Sequence, residues 1–163
     1  MSPARKLLIV SGLLLTIWGL SWGLVYAVFF EHQTLDTLGG QITTAFVHGA
    51  QRNLPQAHAD LSAYAGTEFR YIRQVDVHSH WTGLAMMLIA LGAAFECVSF
   101  SEPVRMRLAA ALVIGSGVFP LGVILQTWRP GPVPSVLAVT GAALVIIGLG
   151  GTAMGFARAG HAH

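Results

Sequence analysis

Length, composition and charge narrow the class of protein to which this chain can belong. Of its 163 residues 54% are hydrophobic and only 10% are charged, and the mean hydropathy is +0.65. Soluble domains carry about 25% charged residues, so this balance excludes an ordinary soluble domain, and a net charge of +2 is too small to indicate nucleic acid as a partner.

Four apolar runs follow one another along the chain, at residues 7–30, 77–98, 108–127 and 136–156. Each is close to the roughly 20 residues that cross a hydrocarbon core about 30 Å thick. None alternates with the period of two that a barrel strand requires. The sequence therefore predicts an all-α integral membrane protein, a four-helix bundle forming one domain over residues 1–163. The first run is longer than the apolar core of a signal peptide, so we expect it to remain as an anchor.

The segment 31–74 between the first two runs predicts a short helical cap on the outer side. Thr34 can cap a first helix that runs towards His48. Asn53-Leu54-Pro55 is a good start for a second helix. No proline lies between Gln56 and Val98, and Gly66 is the only glycine before the second apolar run, so the second helix can continue into the second span.

The positions of the basic residues predict the orientation of the chain in the membrane. They flank the spans on one side, in short segments: Arg5, Lys6, Arg105, Arg107 and Arg158. By the positive-inside rule both termini are then cytoplasmic, in the inner membrane, with segment 31–74 and the turn at Arg129 outside. Glu96 falls near the cytoplasmic end, where Arg105 or Arg107 can pair with it.

Histidines are concentrated on the predicted outer side. Five of the seven fall there, and the other two, His161 and His163, are expected to be solvated in the tail; the outer five are His32, His48, His58, His78 and His80. The densest group is Asp76-Val77-His78-Ser79-His80-Trp81, which opens the second span. Ionisable side chains at membrane depth are costly unless something pairs with them or binds to them, so this segment is a candidate site.

Helix geometry restricts what the two histidines of this segment can bind. Residues two apart on a helix point about 200° apart, so one regular helix cannot direct His78 and His80 at the same metal ion. Asp76 precedes His80 by four residues and can accept its second ring proton, as the partners of metal-bound imidazoles do. The simpler alternative is that both histidines lie at the interface and bond to water or to the loop.

The residues His78-Ser79-His80-Trp81, followed by the small and apolar run Thr82-Gly83-Leu84-Ala85-Met86-Met87, resemble the His-x-His helix of haem–copper oxidase and nitric oxide reductase catalytic subunits. In that family the two histidines ligate two different haems on opposite faces of the helix. The chain has fewer spans than those subunits and no His-His pair for copper, so a complete oxidase is excluded. The resemblance implies a haem-bearing helix with His78 and His80 at the matching positions.

A haem site needs axial ligands, an apolar slot and donors for the propionates. His78 or His80, with His32 or His48 as a partner, supplies ligands of the right type, and Arg129, Arg70 or Arg73 can meet propionates. Tryptophans Trp18, Trp22 and Trp128 can wall the slot, although Trp81 and Trp128 are better interpreted as an interfacial aromatic belt. No Cys-x-x-Cys-His occurs, so the haem would be b-type.

Two further interpretations remain open at this point. In the first, Asp76, His78 and His80 bind copper or zinc without haem, which requires an unwound backbone or ligands from other helices. In the second, the protein is a structural subunit without a cofactor that packs in a larger respiratory complex or a homo-oligomer. GxxxG spacing at Gly19 and Gly23, and at Gly151 and Gly155, permits close helix packing in either case. Whether the protein is an enzyme is left open.

Overall fold

The computed structural model describes residues 1–159, and over that range the chain is helical, with no strand. The elements in chain order are α1 (Pro3–Tyr26), a π-helical turn (Ala27–Glu31), α2 (His32–Ala50), α3 (Leu54–Ala94), a 3₁₀ turn (Phe95–Cys97), α4 (Glu102–Trp128) and α5 (Pro132–Ala159). The all-α prediction is confirmed. The tail histidines His161 and His163 lie outside the described residues.

Four helical stretches within the described residues are long and apolar enough to cross a membrane: Pro3–Ala50, Leu54–Cys97, Glu102–Trp128 and Pro132–Ala159. Each contains one of the four predicted apolar runs to within one residue. The number of long apolar helices predicted from the sequence is therefore confirmed.

The prediction that Thr34 begins a new helix is wrong. The chain passes from α1 into α2 without a break, through the π-helical turn, and the hydroxyl of Thr34 donates to the carbonyl oxygen of Phe30 at 2.9 Å. No glycine or proline lies between Val25 and Leu38, so nothing in the sequence ends the helix there. The second outer helix does continue into the second apolar run, since α3 is a single helix of 41 residues.

The chain divides into two compact units, which are described separately. The first unit contains Met1–Leu20 and the chain from Val77 onward. Its core is apolar, with fully buried side chains from α1, α3, the 3₁₀ turn and α4: Leu8, Leu88, Phe95 and Leu112. Helices α4 and α5 approach closely because a glycine of each helix faces the backbone of the other. A Cβ on Gly122 would overlap Ala138, and one on Gly141 would overlap Phe119.

The glycines at GxxxG spacing also serve packing within this unit. A Cβ on Gly19 would lie 3.0 Å from Thr82 Cγ2, and Gly151 and Gly155 face Leu108 and Val98. These three close approaches are made inside the chain. The predicted homo-oligomer therefore receives no support from them.

Two carboxylates bind the start of α1. Glu96 accepts a hydrogen bond from the backbone N–H of Ser2 at 3.2 Å and forms an ion pair with Arg5 at 3.2 Å. Glu102 accepts from the N–H of Ala4 at 3.3 Å and pairs with Arg105 at 2.7 Å. The prediction that Glu96 pairs with Arg105 or Arg107 is therefore wrong, because Arg105 has a nearer carboxylate three residues away on its own helix.

The second unit, Ser21–Asp76, is a helical hairpin of α2 and the first half of α3. The residues buried along its seam are small: Ala45, Ala57 and Thr67. Across the seam, His48 Nδ1 lies 2.7 Å from Asp60 Oδ2, and the Tyr71 hydroxyl donates to Glu31 at 3.3 Å. Its large apolar side chains are mostly exposed, among them Leu35, Phe46, Leu54, Leu61 and Ile72.

Candidate functional site

The imidazole of His78 is held by the backbone of a neighbouring helix. Its Nδ1 lies 2.8 Å from the carbonyl oxygen of Gly19 on α1, and the side chain is half-buried. This close approach depends on the absence of a side chain at Gly19, where a Cβ would lie 3.0 Å from Thr82 Cγ2 and 3.1 Å from Trp81 Cβ. Gly19 thus brings its carbonyl within reach of the ring.

This hydrogen bond determines which ring nitrogen of His78 can act as a ligand. A carbonyl oxygen only accepts, so Nδ1 must carry the proton. In the neutral ring Nε2 then presents a lone pair, which is the form that binds iron, copper or zinc. The backbone carbonyl therefore fixes Nε2 as the nitrogen that can act as a ligand.

His80 faces a different helix. Its ring centroid lies 4.8 Å from that of Phe119 on α4, with 30° between the planes. Both histidines belong to the regular helix α3, which is continuous through residues 78–80. The prediction that the two side chains diverge is consistent with these contacts, since His78 meets α1 and His80 meets α4. A single metal ion bound by both rings is not compatible with this backbone.

Trp81, which lies between these two directions, is buried with 4% of its surface exposed. Its ring packs edge-on against Trp18 of α1, at 5.8 Å between centroids and 80° between planes. The prediction that Trp81 belongs to an interfacial belt is therefore wrong: this part of α3 faces α1, and Trp81 packs into the contact. Trp128, in contrast, is 63% exposed, as a belt residue would be.

An open groove of about 320 Å³ lies among α1, α3 and α4. One wall is α1, with Trp18 at one end, the other is α4 at Val113 and Gly117, and Leu88 of α3 is the third side. Among the described residues that line it, Ser11 alone carries a hydroxyl. The groove is apolar and adjoins the Trp18–Trp81 contact, but neither His78 nor His80 is among the residues that line it.

The other predicted ligands have partners of their own or lie in turns. His32 is exposed and pairs with Asp36 on the same helix at 3.4 Å, whereas His48 pairs with Asp60. Arg129 is exposed at the end of α4. Asp76 is half-buried on α3, four residues before His80, and its role as an orienting partner stays a prediction.

Within residues 1–159 no three His, Cys, Asp or Glu side chains are grouped so as to hold a metal ion. This includes the predicted set Asp76, His78 and His80. What the sequence did not indicate is the pair of groups that hold the two rings, the Gly19 carbonyl and the Phe119 ring. A glycine in an apolar run carries no signal for such a contact.

Comparisons with protein-family models, with curated proteins and with solved structures find no significant match to this chain. Its function is therefore inferred from the chemistry of these side chains.

Proposed function

We propose that this protein is a membrane haem b protein that transfers electrons, as part of a respiratory oxidoreductase or in association with one. His78 is the first axial ligand, and His80 is the second ligand-bearing position on the opposite side of α3. Bound haem would supply reversible one-electron chemistry at its iron.

The observation that supports this proposal most directly is the hydrogen bond from His78 Nδ1–H to the Gly19 carbonyl. It keeps Nε2 available and prevents the ring from rotating, which is how proteins orient axial imidazoles.

The side chains present include the types of ligand and hydrogen-bond donor that haem requires. The Nε2 atom of His78 is available as a ligand when the ring is neutral, and Arg129, Arg70 and Arg73 remain proposed partners for propionates. His32 remains proposed as the second axial ligand, although it would share or give up its partner Asp36. His48 is not compatible with this role, because its partner Asp60 precedes His78 by 18 residues on the continuous helix α3, a distance of roughly 27 Å.

We also propose how the chain is placed in the membrane. The four long apolar helices form one bundle in the inner membrane with both termini in the cytoplasm. Helix α3, with 41 residues at about 1.5 Å each, is about 60 Å long, roughly twice the thickness of the hydrocarbon core. The excess length supports an α2–α3 hairpin outside the membrane.

The test is an absorption spectrum of the purified full-length protein, oxidised and then reduced. A Soret band with sharp α and β bands on reduction is expected. Both should be lost in His78→Ala and retained in His58→Ala, which removes an exposed histidine of α3 that has no role in the proposal.

The remaining outcomes decide between the alternatives. A colourless protein that holds stoichiometric copper or zinc would replace haem with a bare metal ion. A colourless and metal-free protein that co-purifies with a larger complex would contradict the haem proposal and favour a structural subunit. Spectra unchanged in both His78→Ala and His80→Ala would also contradict it.

A further inference from the structure

Three aromatic rings lie together within the second unit. The ring centroid of Tyr26 is 6.4 Å from that of Phe30, with 23° between the planes, and 6.5 Å from that of Tyr71. The rings come from distant parts of the chain, since Tyr26 ends α1 and Tyr71 belongs to α3. They are not sealed in a core, because Phe30 is 53% exposed and the two tyrosines are half-buried. A small molecule from outside the chain can therefore reach them.

A carboxylate lies beside these rings. The Tyr71 hydroxyl donates to Glu31 Oε1 at 3.3 Å, and partial burial together with the charge of Glu31 raises the pKa of this hydroxyl, so that it keeps its proton. A carboxylate has about four acceptor sites, so one hydroxyl does not saturate it. We call these four residues the aromatic–carboxylate cluster: Tyr26, Phe30, Glu31 and Tyr71.

The negative charge of the cluster is not paired within the described part of the chain. The ion pairs among residues 1–159 use the other carboxylates Asp36, Asp60, Glu96 and Glu102. The two arginines nearest to the cluster along α3 contact other side chains. Arg70 Nη2 donates to the Thr67 hydroxyl at 3.1 Å, and the guanidinium of Arg73 lies 5.2 Å from the centroid of the Phe69 ring. The cluster thus combines a negative charge with three aromatic rings and has no cation of its own.

The backbone is irregular at this place. The π-helical turn Ala27–Glu31 follows Tyr26 directly and contains Phe30 and Glu31. Such single turns are rare in helices and occur frequently at functional sites. Aromatic rings alone would match an interfacial belt. A belt does not explain the carboxylate among them, because a charge at a membrane boundary is costly without a partner.

We propose that the aromatic–carboxylate cluster binds an organic ammonium cation, either a free amine or the ammonium headgroup of a lipid. The face of an aromatic ring carries the negative part of its quadrupole and attracts a cation within about 6 Å of the centroid. Glu31 supplies the opposite charge. Alkyl groups on the ammonium pack against the rings, which favours such a cation over a small hydrated ion. The site does not depend on haem.

The experiment is a calorimetric titration of the full-length protein with choline, in a maltoside detergent that carries no charge. The native protein should bind choline saturably. Glu31→Gln and Phe30→Leu should each weaken the affinity by roughly fivefold to tenfold, because one removes the opposite charge and the other a ring. Glu68→Gln is the matched control. Glu68 also accepts from a tyrosine hydroxyl, that of Tyr64 at 3.4 Å, but no ring contact joins Tyr64 to another aromatic side chain in residues 1–159.

Two further measurements use only the native protein, so they decide even where a variant fails to fold. Dimethylbutanol, the uncharged carbon analogue of choline, should bind much more weakly, and equal affinity would overturn the proposal. Nanodiscs identify the source of the cation. A lower affinity for choline in phosphatidylcholine than in phosphatidylglycerol shows that a lipid headgroup occupies the site, whereas equal affinities show a site for a free cation.

The proposal is overturned if the native protein shows no saturable binding of choline. Native affinity in both Glu31→Gln and Phe30→Leu, at an unchanged melting temperature, overturns it equally. An equal loss of affinity in Glu68→Gln would show that choline responds to the general charge of the hairpin, which also contradicts a site at this cluster.

Discussion

His48 Nδ1 and Asp60 Oδ2 lie 2.7 Å apart and join the end of α2 to the first turns of α3. Their side chains are only 28% and 18% exposed, so the contact is shielded from water. The turn that they close contains Arg52 in the left-handed conformation, with φ of 58°. The residues buried along the seam are small, so this polar pair adds a cross-link between side chains near the turn.

Asp60→Ala should loosen the hairpin at its turn. It removes the acceptor of a shielded, charge-assisted hydrogen bond and should cost about 1–3 kcal/mol locally. Hydrogen exchange of the amides flanking residues 51–53 should accelerate accordingly. Asp36→Ala is the matched control, because its pair with His32 is 88% and 70% exposed and should contribute little. Equal acceleration in both variants would show that the His48–Asp60 contact has no special role.

Gly19→Val should weaken the contact between α1 and α3 and displace the carbonyl from His78. The new side chain must fit against Thr82 and Trp81, which should cost about 1–3 kcal/mol. Gly12→Val is the packing control, because a Cβ there would meet Ile89 at 2.7 Å on the same two helices, away from His78. If the proposed haem site is correct, haem content measured by the Soret band falls further in Gly19→Val than in Gly12→Val. An equal fall would mean that only helix packing matters.

Gly141→Val should destabilise the α4–α5 pair strongly. Its Cβ would overlap the backbone of Phe119, which cannot move as the end of a flexible side chain can. We expect a loss of about 3 kcal/mol or failure to fold, measured by thermal unfolding in detergent. Gly150→Ala, on the same helix with open space around it, should be neutral or stabilise by up to about 1 kcal/mol. A native melting temperature for Gly141→Val would show that α4 and α5 do not approach so closely.

Glu96→Gln should leave cofactor content unchanged. Glu96 contacts Ser2 and Arg5 at the start of α1, about 16 residues from His80 along the chain, or roughly 24 Å in a helix. Its ion pair is partly exposed, so only a small fall in melting temperature is expected. The absorption spectrum of the variant is the measurement. Loss of bound cofactor would contradict the separation of Glu96 from the site.

Cysteine labelling in sealed vesicles tests the proposed orientation. The natural cysteine Cys97 is exposed and must first be replaced by serine. Gln51→Cys, in the turn between α2 and α3, should then react with a membrane-impermeant reagent from outside, and Arg158→Cys should react only from the cytoplasmic side. Reaction of both from one side would contradict the topology.

Four apolar stretches of sufficient length can be predicted from the chain alone, because length and hydropathy are local properties. The continuity of α3 from Leu54 is equally predictable, since no proline follows its first turn and Gly66 is the only glycine before the second apolar run. The start of α2 cannot be predicted in this way. Thr34 has the chemistry of a helix cap, but its hydroxyl bonds back to Phe30 inside a helix that nothing stops. A capping residue signals a helix start only where the preceding residues leave the helical conformation.

The sequence by itself determined the helical class, the four apolar stretches and the fact that His78 and His80 must point in different directions, because each follows from helix periodicity and local composition. Only the tertiary structure decided what each histidine meets, that Trp81 is buried against Trp18, and that Glu96 pairs with Arg5 instead of Arg105. Those contacts join residues far apart in the chain. They depend on how closely two helices approach each other. Glycines such as Gly19 allow a close approach because they have no side chain, and no local sequence pattern reveals where that happens.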